Sequence, residues 1–386
     1  MCNLTISTLC NLHCPYCFAV MYMDQATCSA TTPFISLDTF AHQLAFLERS
    51  GMDQARLIGG EPTLHPQFPA LVAMARARGL RVLIFSNGLM PARSLACLET
   101  LAPEECLVLL NMNTAHRTRP LSETEQKQRQ ATMMRLGPRV LLGFNIYQIP
   151  FDLEALLPVI QQAHCQPAIR LGLAHPILGG TNAYLSPQQY RLAGEKIVAF
   201  AQHAAAYGVT LEFDCGFVRC MFSPAELALL QATGANIGWH CNPILDVGLD
   251  GQVIHCFPLT GHIQTNMAAG NAAADLRQIL TAKTQIYRQV GIYPECSSCL
   301  AKQQGNCTGG CLAHTWRRFR QRPIRLVWPS SRGRERMTLS EQNTDKNQGL
   351  GSLIIQGVDT IYTGWPCACP CGQPQGLPVP RQNPEE

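Results

Sequence analysis

From residue 4 to about residue 215, short apolar runs alternate with stretches of helical period. This alternation narrows the available folds more than any other feature of the chain. Strand-like runs stand at residues 4–8, 56–58, 81–85, 106–112, 140–147, 168–174 and 209–213. Between them, helical patterns cover 67–78, 92–101, 123–136, 153–163 and 188–207, and Ser36 caps a further one that presents Phe40, Leu44 and Leu47 on one face. Gly51, Gly79, Gly137 and Gly208 stand where several of these helices should stop. Strands separated by helices of this length pair in parallel. Six or more such units in series predict an α/β fold, a partial (β/α)6 TIM-type barrel over residues 1–213, with chemistry where strands end and loops begin.

After residue 214 the pattern changes. Helices shorten, Gly and Pro punctuate the chain, and Cys215, Cys220, Cys241, Cys256, Cys296, Cys299, Cys307 and Cys311 fall close together. Residues 214–320 therefore read as a small cysteine-rich domain held by metal more than by a large core. Residues 321–386 are expected to be a disordered basic and Pro-rich tail. Residues 317–336 alone carry eight arginines against one glutamate, while the whole chain nets only +4, so the body is no nucleic-acid binder. The 19 cysteines come with no signal-like start and no apolar stretch of membrane-spanning length. That combination predicts reduced, metal-ligating thiols, a cytoplasmic location and no membrane partner.

The sharpest motif is Cys10-Asn11-Leu12-His13-Cys14-Pro15-Tyr16-Cys17, directly after the first strand. Three thiolates on one loop can hold three irons of a four-iron cubane and leave the fourth without a protein ligand, whereas clusters that only carry electrons usually have four. An iron left open can bind a substrate, as catalytic zinc does through its open position. Zinc in this loop would need a fourth ligand, and His13 is poorly placed to be one.

This C-x3-C-x2-C triplet, with aromatic Tyr16 before its last cysteine, resembles the signature of the radical S-adenosylmethionine (SAM) enzymes. Gly59-Gly60-Glu61-Pro62 after the second strand resembles that family's SAM-binding GGE motif, and Ser86-Asn87 after the third strand resembles its ribose-binding position. The resemblance implies that Glu61 or nearby carbonyls accept from the methionine ammonium. The glycine pair would let backbone approach that ligand. Asn145 and Arg170, on the fifth and sixth strands, point toward the same mouth, where Arg170 can pair with a carboxylate. The family's chemistry is reductive cleavage of SAM to a 5′-deoxyadenosyl radical, which takes a hydrogen atom from the substrate.

The later cysteines resemble the family's SPASM extension, which carries auxiliary four-iron clusters. Cys241-x9-Gly251-x4-Cys256 fits the extension's first half, while Cys296-x2-Cys299-x7-Cys307-x3-Cys311 has two residues more than its second half usually holds. The resemblance places Cys241, Cys256 and Cys311 on one cluster with Cys215 or Cys220. It places Cys296, Cys299 and Cys307 on another, completed from downstream, where only Cys367, Cys369 and Cys371 remain. One auxiliary cluster plus a zinc site is the alternative.

Such a chain is expected to modify a peptide or protein, fed by an electron donor such as flavodoxin or ferredoxin. Small-molecule or cofactor-building chemistry, activation of a glycyl-radical partner, and plain electron transfer are the rival functions. Asp214 and His175 are the candidate bases.

Overall fold

The computed structural model describes residues 1–321 apart from 30, 31, 117 and 118, together with the short pairs 326–327 and 336–337. Strands β1 (Asn3–Ser7), β2 (Gln54–Gly59), β3 (Arg81–Ser86), β4 (Cys106–Asn111), β5 (Val140–Ile146) and β6 (Ala168–Leu173) pair in sequence order, all parallel. This is the expected partial barrel. Strand β7 (Thr210–Phe213) continues it beyond β6, followed by the two-residue β8 (Asn236–Ile237).

Helices α1 (Val20–Ser29), α2 (Leu37–Arg49), α3 (Phe68–Ala77), α4 (Ala92–Glu99), α5 (Glu123–Leu136), α6 (Leu156–Ala163) and α7 (Tyr190–Ala206) make the crossovers. Their ends follow local chemistry. The Ser36 hydroxyl accepts from Thr39 N–H at the start of α2, and a reciprocal Ser122–Glu125 capping box opens α5. The barrel strands are apolar because both faces are covered. Leu4, Leu57, Ile84, Val108, Leu142 and Ile169 are all fully buried, in one core shared with Phe40, Phe46 and Phe68 of the surrounding helices.

The cysteine-rich segment does not stand apart from this sheet. β9 (Asp246–Val247) pairs in parallel with β1, and β10 (Gln252–Ile254) and β11 (Gln264–Asn266) add antiparallel strands outside it. The result is one eleven-stranded sheet running from β8 through β7, β6, β5, β4, β3, β2 and β1 to β9, β10 and β11. A polar chain seals this junction. Arg56 Nε donates to Asn3 Oδ1, Asn3 Nδ2 donates to Asp246 Oδ1 at 2.7 Å, and Phe257 N–H donates to Asp246 Oδ2. Burial pushes the Asp246 carboxyl up to about 7 and the Arg56 guanidinium down to about 10. Helices α8 (Pro224–Ala232), α9 (Ala273–Arg288), α10 (Leu300–Gln303) and α11 (Leu312–Gln321) complete the C-terminal unit. Among the described residues no helix is long and apolar enough to cross a membrane. The expected disordered tail, with Cys367, Cys369 and Cys371, lies outside the described residues.

Candidate cofactor-binding site

The loop after β1 carries Cys10, Cys14 and Cys17, each partly buried, at the C-terminal mouth of the barrel. Its sulfurs sit among apolar groups. Cys10 and Cys14 pack on Leu12, Leu89 and Leu121, and Cys17 packs on Ala19, Tyr22, Ile58 and Phe257. Burial pushes the Cys10 thiol up to about 12 and the Cys17 thiol up to about 11. Without metal these groups are neutral thiols, so loading a cluster releases protons. Donors are already in place for the charged form. Leu12 N–H lies 3.5 Å from the Cys10 sulfur, and the Asn87 side-chain amide lies 3.9 Å from it. N–H groups aimed at a sulfur suit a cluster ligand.

Gly59 and Gly60 also have a packing reason that the sequence did not show. A Cβ at Gly59 would stand 2.1 Å from the Ser7 carbonyl oxygen, and one at Gly60 would stand 2.2 Å from the Leu9 carbonyl oxygen. Gly60 N–H donates to Ser7 and Glu61 N–H donates to Leu9. The glycine pair therefore presses β2 against the root of the cysteine loop itself.

Glu61 is fully buried and its carboxylate is completely engaged. It accepts from Thr63 N–H, Thr63 Oγ1 at 2.6 Å, Ser86 Oγ at 3.0 Å and Asn87 N–H at 2.8 Å. Burial raises its pKa and these four donors oppose the rise. Glu61 and Ser86 thus weld the ends of β2 and β3 together, and Pro62 opens the short 3-10 turn that follows. The carbonyls of this loop remain as acceptors. The Asn87 side chain bridges to Asn11 Oδ1 at 2.8 Å, tying β3 to the cysteine loop.

Tyr16 is buried, stacks on Tyr147 with 4.8 Å between ring centroids, and takes a hydrogen bond from Asn111 Nδ2. Asn113, two residues on, brackets the Asn145 backbone from both sides, and Arg129 donates to the carbonyls of Asn111 and Asn113. His116 Nδ1 accepts from His13 N–H inside the cysteine loop. None of these five supporting residues was read from the sequence. The available signal was the pair of asparagines that ends the apolar run of β4.

Arg170 does not stand open at the mouth. Its guanidinium pairs with Asp214 at 2.9 Å, and this charge holds Asp214 below the usual carboxylate range against the opposing effect of burial. The Asp214 side chain keeps 39% of its surface exposed at the end of β7. His175 is buried, with Nε2 3.4 Å from the Cys215 carbonyl and no partner for Nδ1. Its ring meets that of His314 edge-on at 5.5 Å.

The C-terminal cysteines divide in two. The Cys241 and Cys311 thiols are hydrogen-bonded to each other, and Cys215 and Cys256 lie near enough to both for the charges to interact. Cys296, Cys299 and Cys307 line a separate cavity of about 30 Å³. Among the described residues, no three His, Cys, Asp or Glu side chains converge as they would on a single ion. Thiols spread around a space fit the broader body of a cluster better than a zinc ion.

Residues 4–129 match the sequence profile of the radical SAM superfamily. An S-adenosylmethionine-dependent nucleotide dehydratase from Selenomonas ruminantium is 35% identical over 107 residues, which is 26% of this chain and 36% of the relative. A GTP 3′,8-cyclase from Haemophilus influenzae is 32% identical over 96 residues, 24% of this chain and 28% of that one. The chain thus spans about a third of these curated relatives. Among solved structures, SuiB of Streptococcus suis bound to its precursor peptide SuiA superposes with a TM-score of 0.57 at 13% identity, over 81% of this chain and 72% of SuiB. AnSMEcpe bound to AdoMet superposes with a TM-score of 0.56 at 16% identity, over 81% of this chain and 89% of its own. An 81% coverage reaches well past the barrel into the cysteine-rich unit.

Proposed function

We propose, on the premise that the chain carries a radical SAM domain over residues 4–129 and belongs to that superfamily, that it is an enzyme acting on a peptide or protein substrate. The group held at Cys10, Cys14 and Cys17 is a four-iron cluster that, with SAM, supplies a 5′-deoxyadenosyl radical for hydrogen abstraction. The chain's own share is placement and shielding. Glu61, Ser86 and Asn87 fix the loops around the sulfurs, and Leu12, Leu89 and Leu121 keep water from them.

One observation supports a peptide over a small molecule: the extent of each likeness. The relatives that act on nucleotides share about a quarter of the chain. SuiB with its bound peptide, and anSMEcpe with AdoMet and the Cp18Cys peptide, share the barrel and the cysteine-rich unit together. Asp214 is the better supported of the two candidate bases, because Arg170 keeps it ionised while part of it stays open. His175 is enclosed.

The test is 5′-deoxyadenosine formation by the anaerobically reconstituted, reduced chain. It is measured alone, with a panel of unstructured peptides containing Cys, Ser or Lys, and with GTP. Stimulation by a peptide with a matching mass change supports the reading. Stimulation by GTP alone replaces it with small-molecule chemistry. Cleavage of SAM in a Cys10→Ala/Cys14→Ala/Cys17→Ala variant would sink the assignment of the first cluster.

A further inference from the structure

We infer that Cys220 joins Cys296, Cys299 and Cys307 in a second four-thiolate iron–sulfur site, so that this cluster is completed from the turn after β7 instead of from the tail. The inference rests on the cluster reading above and is independent of the substrate.

Three observations carry it. The first is position: Cys220, Cys296, Cys299 and Cys307 line the same cavity, on segments that meet only in the folded chain. The second is supply. Cys215, Cys241, Cys256 and Cys311 already form a mutually close set of four, so the other set has a use for Cys220 and the first does not. Cys220 sits inside a 3-10 turn at Arg219–Met221 that places it on this cavity, whereas Cys215, before the turn, does not line it.

The third is surroundings. Arg219 and Lys302 line the cavity beside the four thiols and outnumber the single acid there, Glu295, and a cluster held by four thiolates carries net negative charge that these cations offset in part. Gly309 N–H lies 3.4 Å from the Cys307 sulfur, already oriented to donate to a thiolate. The cysteine segments are held rigidly. Ile292 N–H donates to the Gly309 carbonyl, and a Cβ at Gly291 would stand 2.6 Å from Cys296 Cβ.

With four protein ligands this cluster has no open iron. Its role is then to pass electrons, and it binds no substrate.

The experiment uses the full chain in the Cys10→Ala/Cys14→Ala/Cys17→Ala background, which removes the first cluster, reconstituted anaerobically with ferrous iron and sulfide. Iron per chain and the electron paramagnetic resonance of the reduced protein are read. About eight irons and two signals are expected in the background, falling to between about four and seven irons with one signal altered on adding Cys220→Ala. Cys296→Ala should alter the same signal, Cys215→Ala should alter the other, and Cys367→Ala/Cys369→Ala/Cys371→Ala should alter neither. Unchanged circular dichroism together with iron retained by Cys220→Ser separates ligand loss from misfolding.

The inference is overturned if Cys220→Ala keeps every iron and both signals, or disturbs the signal that Cys215 controls. Iron lost with the tail cysteines, or zinc found at this site, overturns it equally. A background chain that takes up no iron overturns the cluster reading as well as this assignment.

Discussion

The two cysteine-bearing regions treat their buried polar groups in opposite ways. At the barrel mouth nearly everything is paired: Glu61 takes four hydrogen bonds, and Asn87 and Asn113 bridge neighbouring segments. Around the C-terminal cysteines the account stays open. Both ring nitrogens of His255, Nε2 of His314, Nδ1 of His175 and the Tyr190 hydroxyl are buried with no hydrogen-bond partner from another of the described residues. A buried polar group without a partner costs about 1–3 kcal/mol. On the proposed reading, the barrel site is set before any cofactor arrives, while the C-terminal unit is expected to lean on its metal for order.

Withholding iron tests this difference most severely. In apo protein, amide exchange should speed up by about 100-fold or more across residues 214–320, with β2, β3 and β4 still protected. Equal loss in both regions would break the contrast.

Next in size is Gly60→Ala, whose methyl group meets the Leu9 carbonyl oxygen at 2.2 Å. It should cost about 3 kcal/mol and empty the first cluster while leaving the C-terminal iron in place. Glu61→Gln should cost about 1–3 kcal/mol, because an amide NH2 would face donors that now share a carboxylate. Weaker SAM binding by calorimetry, with unchanged C-terminal spectra, is the expected signature.

The smallest effect belongs to His255→Leu. Burial holds this imidazole down at about 4 from its ordinary 6.5, so the folded protein binds fewer protons than the unfolded chain between those values. Wild-type apo protein should lose stability as pH falls through that window, and the leucine variant should lose less. At neutral pH the substitution should be neutral or stabilising by up to about 1 kcal/mol. A clear loss there would show that the ring has a partner in the apo state.

The contrast also marks what could be read from the chain alone. The strands β1 to β7 were legible because each is four to seven residues with apolar side chains in a run or in strict alternation. Strands β8 to β11 were not, since runs of two or three residues carry no period. The cysteine triplet announced itself by spacing. The glycine pair was found by motif, but its fit against the cysteine loop was not, because which backbone presses on Gly60 is a tertiary fact. The supporting residues Asn111 and Asn113 at the end of β4, Arg129 on α5 and Tyr147 after β5 meet only once the sheet has formed. Spacing could likewise not tell Cys215 from Cys220, five residues apart, since of the two only Cys220 lies in the 3-10 turn and on the second cavity.

The pairing of β1 with β9 also bears on how the protein is made. On the ribosome, the strand that leads into the first cysteine loop emerges well before its outer neighbour, which is synthesised 243 residues later, as the Asn3–Asp246 bond shows. Until then β1 is a bare sheet edge beside three cysteine thiols, open to pairing with other nascent chains. Slow translation or truncation after the barrel would lengthen that exposure, so soluble yield depends on how promptly the last third of the message is read.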